Sequence, residues 1–86
     1  MSIVCSSDPP RAGHYVVFTA TSPGVAKTST LTLTGAVSGE GFGGGTVSYS
    51  ATVPEGSAGG SIEATARYKD FDGHTTEETQ SFEVVK

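Results

Sequence analysis

Apolar and polar residues alternate along most of this chain, and the alternation predicts β-strands. In residues 28–37 (TSTLTLTGAV) two leucines and a valine share one side of an extended segment, and threonines share the other. The same period of two runs through residues 46–53 and 61–69. Residues 14–21 are mostly β-branched and aromatic, and residues 76–85 end in FEVV. Each segment therefore predicts a strand that buries every second side chain.

Turn-forming residues separate these segments. Residues 22–24 and 54–60 are predicted loops, and residues 6–13 contain two prolines, which cannot donate regular ladder hydrogen bonds. Residues 38–45 (SGEGFGGG) are predicted to be irregular, because ordering a glycine costs more backbone entropy than ordering any other residue. Residues 2–5 are predicted to form a short first strand or an ordered arm.

The parity of the apolar residues also predicts the register of the last hairpin. A two-residue turn at residues 72–73 would pair Phe82 with Glu63 and place the phenylalanine on the polar side of the sheet. A three-residue loop over residues 71–73, with its glycine in the left-handed conformation, instead sets Ile62 opposite Phe82. We therefore predict the three-residue loop.

This register has a consequence for the polar residues near the turn. It sets Arg67 opposite Glu77 on the outer side, as a surface pair worth little stability. It also gives Thr76, Glu78 and Gln80 the parity of the inner side. We therefore expect either that the turn end of the hairpin lies beyond the core, or that a second bulge turns these polar side chains to the outer side.

Five or six predicted strands without a helical segment indicate a single all-β domain built as an antiparallel sandwich. We divide the chain into an N-terminal arm or short first strand, residues 1–13, and the sandwich domain, residues 14–86. The core must be thin, because 35% of the residues are hydrophobic and none is a tryptophan.

The charge balance disfavours some partners. Nine acidic and five basic residues give a formal net charge of −4, whereas a nucleic-acid binder needs a basic stripe to neutralise phosphates. An anionic membrane surface is disfavoured for the same reason. Cys5 is the single cysteine, so no intrachain disulfide forms. If Met1 is the natural start, no secretory signal follows it, and the chain is expected to remain in the cytosol or to leave by lysis.

Residues 53–85 (VPEGSAGGSIEATARYKDFDGHTTEETQSFEVV) carry a family resemblance. They resemble the closing strands of bacterial and phage immunoglobulin-like domains, in which a proline- and glycine-rich loop leads into an alternating strand. A D-x-D-G or D-x-x-G hairpin follows, and the final strand ends in F-x-V. The matching residues are Pro54, Gly59, Gly60, Ile62, Ala64, Tyr68, Asp70, Asp72, Gly73, Phe82 and Val84. The antibody pattern of two cysteines around a tryptophan is absent. The resemblance implies a small immunoglobulin-like antiparallel β-sandwich of about six to seven strands.

No group of residues predicts catalysis. His14 and His74 are far apart in sequence, and a general base must lie within hydrogen-bond reach of its nucleophile. Cys5 lacks the positive neighbourhood of a reactive thiol, which favours a small buried hydrophobe or a bystander in the arm. We therefore expect a protein that is not an enzyme, without catalytic residues, cofactor or metal.

Two short segments resemble ligand loops without meeting their requirements. Residues 70–73 (DFDG) lack the third oxygen ligand and the spaced glutamate of a calcium loop, so an ordinary turn explains them better, and weak calcium binding stays open. Residues 39–45 lack the lysine and the following helix of a phosphate loop. Phe42 within that segment is predicted either to fold back over the core or to contact a partner.

The expected function is that of a virion accessory protein, namely a small decoration (cement) protein on a bacteriophage capsid, assembled in the host cytoplasm. Its partner is expected to be a major capsid protein or a second copy of the chain, with a homotrimer as one arrangement that the resemblance implies. The arm, residues 1–13, would lie over a neighbouring subunit. The predicted contacts are Ile3, Val4, Pro9, Pro10, Arg11 and Phe42.

The alternative is a module of a larger bacterial surface adhesin or phage tail protein, acting as a spacer or a glycan-binding domain. A small inhibitor or toxin partner is a third class. It is disfavoured because the glycine-rich residues 38–45 are poorly preorganised for tight binding.

Overall fold

The computed structural model describes residues 2–22 and 24–86. The strands are β1 (Ser2–Cys5), β2 (Tyr15–Thr21), β3 (Thr28–Gly35), β4 (Gly39–Gly43), β5 (Thr46–Thr52), β6 (Ser61–Lys69) and β7 (Thr75–Glu83), with one 3-10 turn at Glu55–Ser57. Within that described part of the chain, no helix has the length and apolar character needed to cross a lipid bilayer.

The strands form two antiparallel sheets, of order β1-β2-β5 and β4-β3-β6-β7. When its strands are numbered in chain order, an immunoglobulin constant domain has sheets of order 1-2-5-4 and 3-6-7. This protein has the same order, except that β4 pairs with β3 instead of β5. The prediction of a small all-β antiparallel sandwich of about six to seven strands is therefore confirmed.

Residues 2–13 pack on the sandwich of their own chain. After β1 pairs with β2, the chain crosses to the other sheet and Arg11 forms an isolated parallel bridge with Val85. The Val85 N–H donates to the Pro10 carbonyl at 3.0 Å, and the Ala12 N–H donates to the Val85 carbonyl at 2.8 Å. The segment predicted as an arm or a short first strand thus links the two sheets along one side.

The core lies between the sheets and takes its side chains from alternate positions of the strands. Its buried members are Ile3, Cys5, Val16, Phe18, Ala20, Leu31, Leu33, Val37, Val47, Val53, Ile62, Ala64, Ala66, Phe82 and Val84. Three of these are alanines and only two are phenylalanines, which agrees with the thin core expected from the composition.

The hairpin between β6 and β7 has the predicted register. Ile62 lies opposite Phe82, Arg67 lies opposite Glu77, and Gly73 has φ +90°. The ladder continues without a bulge, and residues 75–81 are all exposed. The turn end of the hairpin therefore lies beyond the core. Of the two alternatives predicted for Thr76, Glu78 and Gln80, a position beyond the core is confirmed and a second bulge is not found along the described β6–β7 ladder.

The prediction of an irregular segment over residues 38–45 is wrong, because Gly39–Gly43 form β4. The pleat places the three glycines of β4 on one side, where β4 approaches β5 closely. A Cβ on Gly43 would lie 2.6 Å from the Thr46 carbonyl oxygen, and one on Gly39 would overlap the Tyr49 ring. Glycine is thus required here for close approach, and pairing with β3 offsets its entropy cost.

Candidate binding site at the loop end

Three connections meet at one end of the sandwich, and we call the described residues 22, 24–27, 43–46 and 70–74 the loop end. The Lys27 N–H donates to the Lys69 carbonyl at 2.8 Å, which joins the β2–β3 connection to the base of the β6–β7 turn. The Ser22 N–H donates to the Gly45 carbonyl at 2.8 Å, which joins it to the β4–β5 turn. Loops held in this way on a rigid sandwich are a common place for binding residues.

Large apolar side chains are exposed at the loop end. Val25 and Phe71 are 77% and 70% exposed, and Phe42, in β4 next to the β4–β5 turn, is 74% exposed. Val4 is also exposed and lies toward this end, because it pairs with Thr19 near the end of β2. Exposed apolar residues at one end of a polar domain favour a contact surface at that end.

The β6–β7 turn presents Phe71 on an ordered backbone. The Asp70 carboxylate oxygen Oδ1 accepts hydrogen bonds from the Asp72 and His74 N–H groups, each at 2.9 Å. The Gly73 N–H donates to the Asp70 carbonyl at 3.2 Å, and the positive φ of this glycine closes the turn. The phenyl ring therefore projects from a turn that Asp70 braces from within.

These hydrogen bonds also affect the ionisation of Asp70. The His74 N–H, followed by the Asp72 N–H, stabilises the carboxylate and holds the pKa of Asp70 below its ordinary value. The His74 ring, whose Nδ1 lies 3.5 Å from Asp70 Oδ2, acts in the same direction when it is protonated. Asp70 is therefore a fixed anion at neutral pH.

Asp70, Asp72 and His74 form a group of potential metal ligands, with one ligand atom from each lying within 4.8 Å of the others. Calcium takes six to eight oxygen ligands, whereas this group supplies two carboxylates and an imidazole. One Asp70 oxygen already accepts two backbone hydrogen bonds. The turn's own hydrogen bonding accounts for the arrangement of these groups.

The predicted contact residues are divided between the two ends of the molecule. Val4 and Phe42 are exposed toward the loop end. Pro9 and Arg11 are exposed toward the opposite end, where Arg11 Nη1 donates to the Lys86 carbonyl at 2.9 Å. Ile3 and Pro10, by contrast, are covered by their own chain. Four members of the predicted set are therefore accessible, and they do not form one surface.

Two of the exposed apolar residues were missed by the sequence interpretation. Phe71 was predicted only as part of a turn, and Val25 lies in residues 25–27, for which no prediction was made. A phenylalanine between two aspartates at the tip of a hairpin cannot reach the core, and this signal was available in residues 70–73 (DFDG). Nothing in the sequence marks Val25 in the same way.

The candidate catalytic residues do not come together. His14 bonds through its backbone to Arg11 and Val53 at the end opposite to His74. Cys5 is buried in the core, and burial raises the pKa of its thiol, with a smaller upward contribution from Asp8. Over residues 2–22 and 24–86 the surface contains no pocket. The loop end is thus the arrangement with the clearest capacity for binding.

No protein-family model matches this chain, and no curated protein or solved structure is significantly similar to it.

Proposed function

We propose that this protein is a non-enzymatic binding module that decorates a bacteriophage capsid, attached through its loop end. The observation that carries the proposal is the exposure of Val25 and Phe71 on neighbouring loops of a rigid sandwich. Aromatic residues are enriched at the centres of protein interfaces, and a few such anchors supply most of the binding energy. The acidic, polar remainder of the surface suits a shell component that faces solvent.

The shape of the molecule supports end-on attachment. Its principal extents are 43 × 17 × 16 Å, and the loop end lies at one extreme of the strands. An elongated domain held by one end covers little of the shell and projects outward. The exposed Phe71 side chain at the tip of the turn would fit a concave apolar pocket on the surface of a partner. The virion assignment itself rests on the resemblance of residues 53–85 to phage immunoglobulin-like domains.

The test is binding to empty capsids of a phage from the source of the protein, prepared without the decoration protein. Wild-type protein should co-sediment at saturable, repeated sites. Phe71→Ser and Val25→Ser should each weaken binding by about thirtyfold, equivalent to about 2 kcal/mol for an interface anchor. Tyr15→Ser is the control, because Tyr15 is 65% exposed but begins β2 at the opposite end.

The results separate the possibilities clearly. Wild-type protein that binds no virion component would overturn the capsid assignment. Binding that Tyr15→Ser weakens and Phe71→Ser does not would overturn the loop end as the attachment site.

A glycan-binding module of an adhesin or phage tail protein is the second candidate. It is favoured by the position of Phe71 between Asp70 and Asp72, because an aromatic ring beside carboxylates offers a stacking surface and hydrogen-bond acceptors to a sugar. Binding of the wild type to purified cell-wall glycan, lost in both Phe71→Ser and Asp72→Ala, would support this candidate over the capsid protein.

A further inference from the structure

The outer side of the β1-β2-β5 sheet has no charged side chain among its described residues. Strand alternation places ten residues there: Ser2, Val4, Tyr15, Val17, Thr19, Thr21, Thr46, Ser48, Ser50 and Thr52. We call them the uncharged face. Eight carry hydroxyl groups and two are valines, and Val4 and Val17 are diagonal neighbours because Val4 pairs with Thr19.

Outer sheet surfaces in this protein are not uncharged in general. The outer side of the β4-β3-β6-β7 sheet carries both signs of charge, from Glu40, Glu63, Arg67, Lys69, Glu77 and Glu83. The two surfaces are otherwise alike, since both are rich in threonine and each has a cross-strand hydroxyl contact. Thr19 Oγ1 lies 3.4 Å from Ser48 Oγ, and Thr65 Oγ1 lies 3.3 Å from Thr79 Oγ1. Charge is therefore the property that distinguishes them.

The uncharged face is complementary to itself. Two copies of a chain with net charge −4 repel each other wherever acidic surfaces meet. A hydroxyl group can both donate and accept a hydrogen bond, so a surface of hydroxyls matches a second copy, whereas a surface of carboxylates does not. Protein interfaces are depleted of Lys, Glu and Asp, which this face lacks, and also of serine, of which it has three.

We propose that the uncharged face is an interface with a second copy of this chain, packed sheet on sheet about a two-fold axis. The same residues meet from both copies, as such symmetry requires. This contact shares Thr46 with the loop end but not the exposed Val25 and Phe71, so these two side chains stay available for a partner in both copies.

The size of the face sets the strength of this pairing. Three strands side by side are roughly 14 Å wide, and a seven-residue strand is roughly 20 Å long. The face therefore covers about 300 Å² on each copy, so a dimer would bury about 600 Å² in total. Stable specific complexes bury at least about 1,200 Å². A contact of this size is weak, so we expect the dimer only where copies are concentrated, at roughly 0.1–1 mM protein.

Sedimentation velocity of the purified protein, over concentrations spanning that range, tests the proposal. The wild type should shift from monomer to dimer, and added salt should strengthen the dimer by screening the repulsion between the two acidic copies. Thr19→Lys should weaken association at least tenfold, because each copy buries an unpaired ammonium group. Thr65→Lys should not weaken the association. It makes the same change of charge and replaces one member of the equivalent hydroxyl pair, but on the charged sheet.

A second matched pair, Ser48→Lys and Thr79→Lys, keeps the test decisive if one variant does not fold, with folding checked by circular dichroism. A wild type that stays monomeric throughout the range would overturn the proposal. Equal weakening by Thr19→Lys and Thr65→Lys, or dimers that added salt dissociates, would overturn it as well.

Discussion

Phe18 of β2 and Phe82 of β7 meet edge to face across the two sheets, with ring centroids 5.3 Å apart and ring planes inclined at 69°. Both rings are buried, at 0% and 3% exposure. They are the two largest side chains of the core, so this contact links the two sheets through its bulkiest residues.

Replacing Phe82 with leucine should lower the free energy of unfolding by about 1–2 kcal/mol, because the aromatic pair is lost and the smaller side chain fills its site imperfectly. Chemical denaturation measures the change. Phe71→Leu is the control and should shift stability by less than about 0.5 kcal/mol, because Phe71 is exposed. Equal effects of the two variants would contradict the assignment of Phe82 to the core.

Adjacent glycines at the end of β4 should respond in opposite directions to alanine. A Cβ on Gly43 would meet the Thr46 carbonyl oxygen at 2.6 Å, whereas one on Gly44 would have no atom within 4 Å. Gly43→Ala should therefore destabilise the fold by about 1–3 kcal/mol. Gly44→Ala should stabilise it by about 0.4–1 kcal/mol, through the lower entropy of the unfolded chain. Thermal unfolding of both variants gives the comparison, and equal tolerance of alanine would argue against close packing of β4 on β5.

Two buried serines differ in their hydrogen bonding. Ser22 Oγ donates to the Gly24 carbonyl at 2.7 Å, whereas Ser29 Oγ in β3 has no partner among the residues that the structure describes. Ser29→Ala should leave the free energy of unfolding unchanged or raise it, because it removes an unsatisfied buried hydroxyl. Ser22→Ala should lower it by about 0.5–1.5 kcal/mol. A clear loss of stability in Ser29→Ala would show that its hydroxyl is satisfied in solution.

Ionisation of Asp70 should make stability depend on pH in the acid range. Because the pKa of Asp70 is lowered in the folded state, chiefly by the His74 N–H, its contribution is fully present above the unfolded value of about 3.9. That contribution should be lost as the pH falls through the lower, folded pKa. Urea unfolding of wild type and Asp70→Asn at a series of pH values measures the difference, which should shrink on acidification. A difference that stayed constant down to the lowest pH would contradict the role of the carboxylate charge.

The Cys5 thiol should react slowly with iodoacetamide at neutral pH in the folded protein. It is buried, and its raised pKa keeps it protonated, whereas the thiolate is the reactive form. The comparison is Val4→Cys in a Cys5→Ala background, which places a thiol at an exposed neighbouring position. Mass spectrometry follows both reactions, and equal rates would show that β1 detaches readily from the sandwich.

The sequence alone was enough to predict five of the strands and the register of the last hairpin. Both depend on a period of two, and a shift of one residue would have moved Phe82 from the core to the polar side. The parity of Thr76, Glu78 and Gln80 also led to the correct alternative, a hairpin end beyond the core. Local alternation determines these features, so they can be read without knowing which strands lie together.

Only the tertiary structure decided the features that depend on contacts between distant residues. The glycines of β4 form a strand because β3 pairs with this segment and β5 packs closely against it. The local sequence of residues 38–45 does not indicate either contact. In the same way Ile3 and Pro10 are covered by their own chain, because residues 2–13 pack along both sheets. Val25 and Phe71 share one end because the sandwich topology brings the β2–β3 and β6–β7 connections together. Period and parity determine which side of a strand is buried, whereas the order of strands in space determines which surfaces remain exposed.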